Sequence, residues 1–77
     1  MKVKVLFFGV LADKAGVEFT EIEGVKDIDS LKRVLLDKYP DFENYSYQIS
    51  INRNISRENN KLSDGDELAL LPPFAGG

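Results

Sequence analysis

Leu68-Ala69-Leu70-Leu71-Pro72-Pro73-Phe74-Ala75-Gly76-Gly77 is the stretch on which the fold turns. An apolar run of strand character stops at two prolines, and two glycines follow. Pro72 and Pro73 lack backbone donors and fix φ, so they end any ladder that Leu68 to Leu71 join. They also favour an extended, polyproline-like exit. The segment from Pro72 to Gly77 reaches roughly 20 Å at full extension. Gly76 and Gly77 carry no Cβ, so this end is thin enough for a narrow channel. The expectation is that a free α-carboxylate on Gly77 is the working group and that the upstream chain is its handle. Frayed termini are common, and a Gly-Gly pair alone says little. The combination of turn signal, apolar strand, two prolines and Gly-Gly says more.

The remaining composition narrows the chemistry. Seventy-seven residues make one domain, expected to span 1–77 with 72–77 as a flexible functional tail. A chain this short buries a modest fraction of its surface, so its core must be compact. A hydrophobic share of 43% with 30% charged residues is ordinary for a soluble globular chain. The net charge of −3 argues against a nucleic-acid footprint and suits basic partner surfaces. There are no cysteines and no histidines. That removes disulfides, thiolate metal sites, iron–sulfur clusters and cysteine nucleophiles, together with the commonest general base and metal ligand. A self-contained active site is not expected, nor is a cofactor bound by the chain itself. No apolar stretch approaches membrane-spanning length, and Met1-Lys2-Val3-Lys4 lacks the apolar region of a signal peptide, so a cytoplasmic location is expected.

Upstream of the decisive stretch, residues 2–8 alternate as a strand, with Val3, Val5 and Phe7 on one face. The other face starts charged at Lys2 and Lys4 and turns apolar at Leu6 and Phe8. Phe8 is thus a candidate for a partner-facing patch; covering by a loop fits this stretch equally well. Residues 10–15 fit one or two helical turns stopped by Gly16. Residues 17–23 alternate, with Val17, Phe19 and Glu21 opposite Glu18, Thr20 and Ile22, and are expected to pair antiparallel with the first strand. Gly24 breaks the run.

The main helix is expected over 28–39, with Asp27 as N-cap and Asp29 and Ser30 in the first turn. Ile28, Leu31, Val34, Leu35 and Lys38 follow helical spacing, and Leu36 and Tyr39 are read as widening the apolar stripe. Lys32, Arg33 and Asp37 fall on the wet side, and Pro40 ends the helix. Residues 41–46 read as a polar connection containing Phe42 and Tyr45. A third strand follows over 47–52, with Tyr47, Ile49 and Ile51 on one face. Asn52-Arg53-Asn54 signals a turn and leads to a short strand around Ile55. Residues 57–61 read as a solvated loop, Leu62 as a core plug and Asp64-Gly65-Asp66 as a turn into the last strand, 67–71.

Strand, strand, helix, strand, short strand, strand is the order of the ubiquitin-like β-grasp. The fold expected is therefore α+β, a mixed sheet of four to five strands packed on one main helix, with an extended C-terminal Gly-Gly tail. In that arrangement the last strand lies parallel beside the first at the sheet centre, which suits two runs as apolar as 3–8 and 68–71.

Val5-Leu6-Phe7-Phe8, Asp13-Lys14-Ala15-Gly16 and Ile51-Asn52 carry a family resemblance. So do Leu62-Ser63-Asp64-Gly65-Asp66-Glu67-Leu68 and, most of all, Leu71-Pro72-Pro73-Phe74-Ala75-Gly76-Gly77. Over essentially the whole chain the sequence resembles the small subunit of molybdopterin synthase, a ubiquitin-like sulfur carrier. The resemblance implies that an E1-like, ATP-dependent enzyme adenylates the Gly77 carboxylate and that a sulfur donor converts it to a thiocarboxylate. It implies that the tail then enters the large synthase subunit and gives sulfur to a pyranopterin precursor of the molybdenum cofactor. Heterotetramer assembly with the large subunit is implied too, the chain alone being expected as a monomer.

Gly77, preceded by Gly76, would carry the sulfur without acting as acid or base. By strand parity, Leu71 joins Phe8 on the outer sheet face if Leu68 and Leu70 face the helix, with Ile55 placed to join them. Phe8, Ile55, Leu71, Pro72, Pro73, Phe74 and Ala75 are accordingly the expected partner-binding residues. A sulfur carrier for thiamine biosynthesis shares the fold and Gly-Gly end. A ubiquitin-like protein modifier would use Gly77 to form isopeptide bonds. An interaction module would make the Gly-Gly incidental.

Overall fold

The two most apolar runs of the chain lie side by side at the centre of the sheet. The computed structural model describes residues 1–73. In it β1 (Lys2–Phe7) pairs parallel with β5 (Glu67–Leu71), setting Val5 beside Leu68 and Phe7 beside Leu70. β2 (Phe19–Glu23) lies antiparallel to the other side of β1, with Val3 opposite Ile22 and Leu6 opposite Phe19. β3 (Gln48–Ile51) is antiparallel to β5, and β4 (Asn54–Ser56) forms a hairpin with β3. The five-stranded order is β2-β1-β5-β3-β4, the mixed β-grasp sheet expected from the sequence. Asn52 and Arg53 link β3 to β4 with φ of 49° and 74°. Two successive positive-φ residues make the tight turn whose twist matches a two-residue hairpin.

One face of the sheet is dry. Val3, Val5, Phe7, Ile22, Ile49, Leu68 and Leu70 are all buried on it. Each side chain so removed from water contributes about 1.5–3 kcal/mol before entropy is counted. The covering helix is α2 (Ile28–Lys38), which buries Ile28, Leu31 and Leu35. Its start is defined by Asp27, whose Oδ1 accepts from the Ser30 backbone N–H at 2.9 Å, while Ser30 Oγ accepts from the Asp27 N–H at 3.1 Å. These reciprocal bonds satisfy donors that a helix start leaves open.

The helix differs from expectation in the width of its apolar stripe. Leu36 is 43% exposed and Val34 36%. At about 100° per residue, each lies roughly a quarter turn from the centre of the Ile28–Leu31–Leu35 line. A single helix crossing a five-stranded sheet contacts it along that line alone. The helix also stops at Lys38, with Tyr39 as its cap.

The connection read as merely polar holds a 3₁₀ segment, Pro40–Asn44, that drives Phe42 into the core at 2% exposure. Phe42 stacks on Tyr39 at 5.1 Å between ring centroids and meets the edge of Phe7 at 5.6 Å. It plugs the end of the core nearest the C-terminal end of β5. α1 (Val10–Ala15) contributes buried Leu11 and ends at Gly16 in the left-handed region. β1 and β3 are each shorter than expected at their ends, and β2 begins at Phe19 because the turn after Gly16 occupies Val17 and Glu18. Leu62 fills the core as expected, at 6% exposure.

Candidate functional site

Where β5 begins determines where it ends, and a network at the Asp64–Glu67 turn fixes the beginning. The Lys2 N–H donates to Asp64 Oδ1 at 2.8 Å, and the Gly65 N–H donates to the Lys2 carbonyl at 2.8 Å. The Ser63 N–H and Asn52 Nδ2 donate to the two oxygens of Asp66, at 2.7 and 3.0 Å. Asn52 then closes onto Glu67, accepting its N–H on Oδ1 at 3.0 Å and donating its own N–H to the Glu67 carbonyl at 2.8 Å. Backbone donors held by carboxylates are among the stronger hydrogen bonds. Together they lock β5 in register against β1 and the β3–β4 turn, so that Leu71, paired with Gln48, is always the last ladder residue.

Beyond Leu71 the chain leaves the sheet. Pro72 continues the inward parity of Leu68 and Leu70 and is buried, whereas Pro73 is exposed. Phe74, Ala75, Gly76 and Gly77, all expected in the site, lie outside the described residues.

The face opposite the helix is open and divided along its length. The strand register aligns Phe19, Leu6, Ala69, Ser50 and Ile55 in one row across all five strands. At the end where β5 exits stand Phe8 and Leu71; Phe8 is 43% exposed and Leu71 is half-buried. The Phe7 N–H donates to the Glu18 carbonyl at 2.8 Å, one residue before β2, and Val17 in the same turn is 46% exposed. At the opposite end the same face is ionic. Lys2 Nζ lies 3.8 Å from Glu21 and 4.0 Å from Glu23, in exposed pairs of small energetic value. Lys4 Nζ sits 4.6 Å above the Phe19 ring, at the boundary between the two halves.

Phe8, Leu71 and Ile55 thus share one face, as their parity suggested. Ile55, 41% exposed, stands two strands from Leu71 and is joined to the rest through the small side chains of Ser50 and Ala69. At about 4.8 Å per strand the row from Phe19 to Ile55 spans roughly 19 Å. Phe19, Leu6, Val17 and Ala69 were not singled out from the sequence as site residues. The signal was present in the alternation of 17–23, which sets Val17, Phe19 and Glu21 on a common face, yet parity alone could not say which face was open. Among the described residues no group of three or more histidine, cysteine or acidic side chains converges to hold a metal ion, and no helix is long and apolar enough to cross a membrane.

A β-grasp sheet whose central strand hands on to a buried Pro72 beside an apolar open face belongs with the ubiquitin-like carriers and modifiers. The model of the ThiS family matches residues 5–77, and this chain belongs to that family. It is 34% identical to the molybdopterin synthase sulfur carrier subunit of Mycobacterium tuberculosis, with 100% of this chain and 99% of the relative aligned. A chain in the solved complex of subunits 1 and 2 of the Helicobacter pylori molybdopterin-converting factor is similar as well. That match has a TM-score of 0.75 and 32% identity, and it covers 100% of both chains. Small archaeal modifier protein 1 of Methanosarcina acetivorans superposes with a TM-score of 0.82 at 33% identity, covering 99% of this chain and 96% of the other.

Proposed function

We propose that this chain is the sulfur carrier for molybdopterin formation, loaded as a thiocarboxylate on Gly77. The observation that carries the proposal is the junction of the two site halves: the central strand ends at Leu71, on the apolar open face, and the chain passes at once into buried Pro72. A partner that docks on that face finds the end of the chain within roughly 20 Å. Family membership and the carrier-subunit relative support the same reading.

In the proposed cycle the Gly77 carboxylate oxygen attacks the α-phosphorus of ATP in an E1-like enzyme, and pyrophosphate leaves. A carboxylate is a poor electrophile at neutral pH, and the acyl adenylate supplies the leaving group it lacks. Sulfide released by a sulfur donor then attacks the carbonyl, AMP leaves, and a thiocarboxylate results. The glycines keep that carbonyl unhindered. The large synthase subunit receives the loaded tail, and the sulfur passes to the pyranopterin precursor. Phe8, Leu71 and Ile55, extended by Phe19, Leu6 and Val17, form the docking surface for both partners. The chain without histidine or cysteine brings the sulfur, and the partners bring the acid–base groups. Alone it is a monomer, and with the large subunit a heterotetramer.

The test is intact mass after incubation with activating enzyme, ATP and a sulfur donor, with a chain lacking Gly77 as control. A gain equal to replacing one oxygen by sulfur, confined to the full chain, supports the carrier. No gain with an enzyme active on another carrier refutes it. The likeness to a small archaeal modifier protein favours a second reading, conjugation to lysines of other proteins. Higher-mass adducts that survive a denaturing gel would establish it.

A further inference from the structure

We propose that Gly9 is a positioning residue for the C-terminal segment, acting through the ring of Pro72; the proposal rests on the carrier reading above. Gly9 follows directly on β1 and Phe8 and is the N-cap residue of α1. Capping does not account for a glycine there. No side chain caps this helix, and serine, aspartate or asparagine would do that better. Two other observations do account for it. The backbone of Gly9 has φ 59° and ψ −133°, a combination that side-chain-bearing residues adopt only under strain. In addition, a Cβ built on Gly9 would lie 3.2 Å from Pro72 Cγ, closer than ordinary van der Waals contact. A methyl there would press on the Pro72 ring, which lies against this side of Gly9.

That contact joins the end of one central strand to the end of its neighbour. β5 makes its last ladder pair at Leu71, and Pro72, having no N–H, cannot extend it. Without a further constraint the chain would swing from Leu71. The buried Pro72 ring, seated on Gly9, moves the pivot outward to Pro73 and narrows the directions in which the segment departs. Narrowing them raises the effective concentration of the carboxylate at a site on a partner docked against the open face.

The chain has no cysteine, so a single introduced one takes a nitroxide label at a chosen place. Val17→Cys and Ser46→Cys flank the exit, in the turn before β2 and just before the strand that pairs with Leu71. Broadening of the amide signals of residues 74–77 is then measured with each label in turn. In the otherwise unsubstituted chain the two labels are expected to broaden these signals unequally. With Gly9→Ala, or with Pro72→Ala, which leaves the Gly9 backbone unstrained, the two patterns are expected to converge. Adenylation kinetics with the carrier as varied substrate give the second measure. In either variant kcat is expected to fall about 10-fold or more with KM little changed, as misplacement of a reacting group does. Equal broadening at the outset, or broadening unchanged by both variants, overturns the proposal. A redistributed segment with unaltered kcat, or a raised KM with unaltered kcat, overturns it too. If the unsubstituted chain is not adenylated at all, the carrier reading fails, and the label measurement still decides whether Gly9 aims the segment.

Discussion

Asp27 shows how a single carboxylate ties local sequence to stability. Hydrogen bonds from the Ser30 backbone and side chain hold its carboxyl below the ordinary aspartate value of 3.8, with Asn59 and Lys26 helping and slight desolvation opposing. A lowered folded-state value means that the unfolded chain binds the proton more readily. The stabilisation is therefore complete above the unfolded value and is lost as pH falls through the folded one. Thermal unfolding is expected to be insensitive to this group above about pH 5 and to drop below about pH 4. Asp27→Asn keeps an acceptor and removes the titration, so its melting temperature should fall less steeply between those values and pH 2. Identical slopes would assign the acid sensitivity elsewhere. Asp66 acts differently, holding the β5 register through Ser63 and Asn52. Asp66→Ala is expected to cost about 0.5–1.5 kcal/mol in urea unfolding, because the donors it releases are exposed and turn to water.

Among the elements, the two faces of the sheet respond in opposite ways to substitution. Leu68 and Leu35 are fully buried between sheet and helix, so alanine at either should cost about 2–5 kcal/mol of unfolding free energy. Leu36→Glu, on the exposed side of the same helix, should change stability by no more than about 0.5 kcal/mol. Phe8→Asp and Leu71→Asp place charge on the open face. They are expected to leave the isolated domain folded by circular dichroism and to weaken partner binding by 10-fold or more, roughly 1.4 kcal/mol. Collapse of the fold in either variant would return that residue to the core and shrink the docking surface. The ionic end of the face offers a control, because Glu23 pairs with solvent-exposed Lys2, and Glu23→Gln should leave partner affinity nearly unchanged.

For the molecule as a whole, a net charge of −3 predicts that association with a basic partner slows as salt rises, while dissociation changes less. Stopped-flow association at two ionic strengths checks this, and a salt-independent rate would point to docking governed by the apolar half of the face. Removing Gly76 and Gly77 should abolish sulfur loading with the melting temperature unchanged. Among the described residues the hydrophobic core cluster runs no further along the last strand than Leu70, and the two glycines bring no side chain to bury.

Sequence alone determined the element order, the pairing of the first two strands and the capped start of the helix. These follow from local periodicity, short connections, proline and glycine stops and a capping pattern. The parallel contact of the first and last strands was expected from the likeness of that order to the β-grasp, since no local pattern pairs strands some sixty residues apart. Parity along a strand, a local rule, set Leu71 opposite to Leu68 and Leu70; that Phe8 and Ile55 share its face was decided by the register across the sheet. Tertiary structure decided what local rules leave undetermined. Phe42 is core because Tyr39 and Phe7 offer it rings to pack against, although its own neighbours in sequence are polar. Leu36 is surface because a single helix on one sheet buries only the line of Ile28, Leu31 and Leu35. Phe19 joins the open face because β2 pairs with β1 in the register that sets it beside Leu6. The seat of Pro72 on Gly9 needs residues 63 positions apart to meet, and no pattern within either stretch encodes that meeting; the closing of the sheet does.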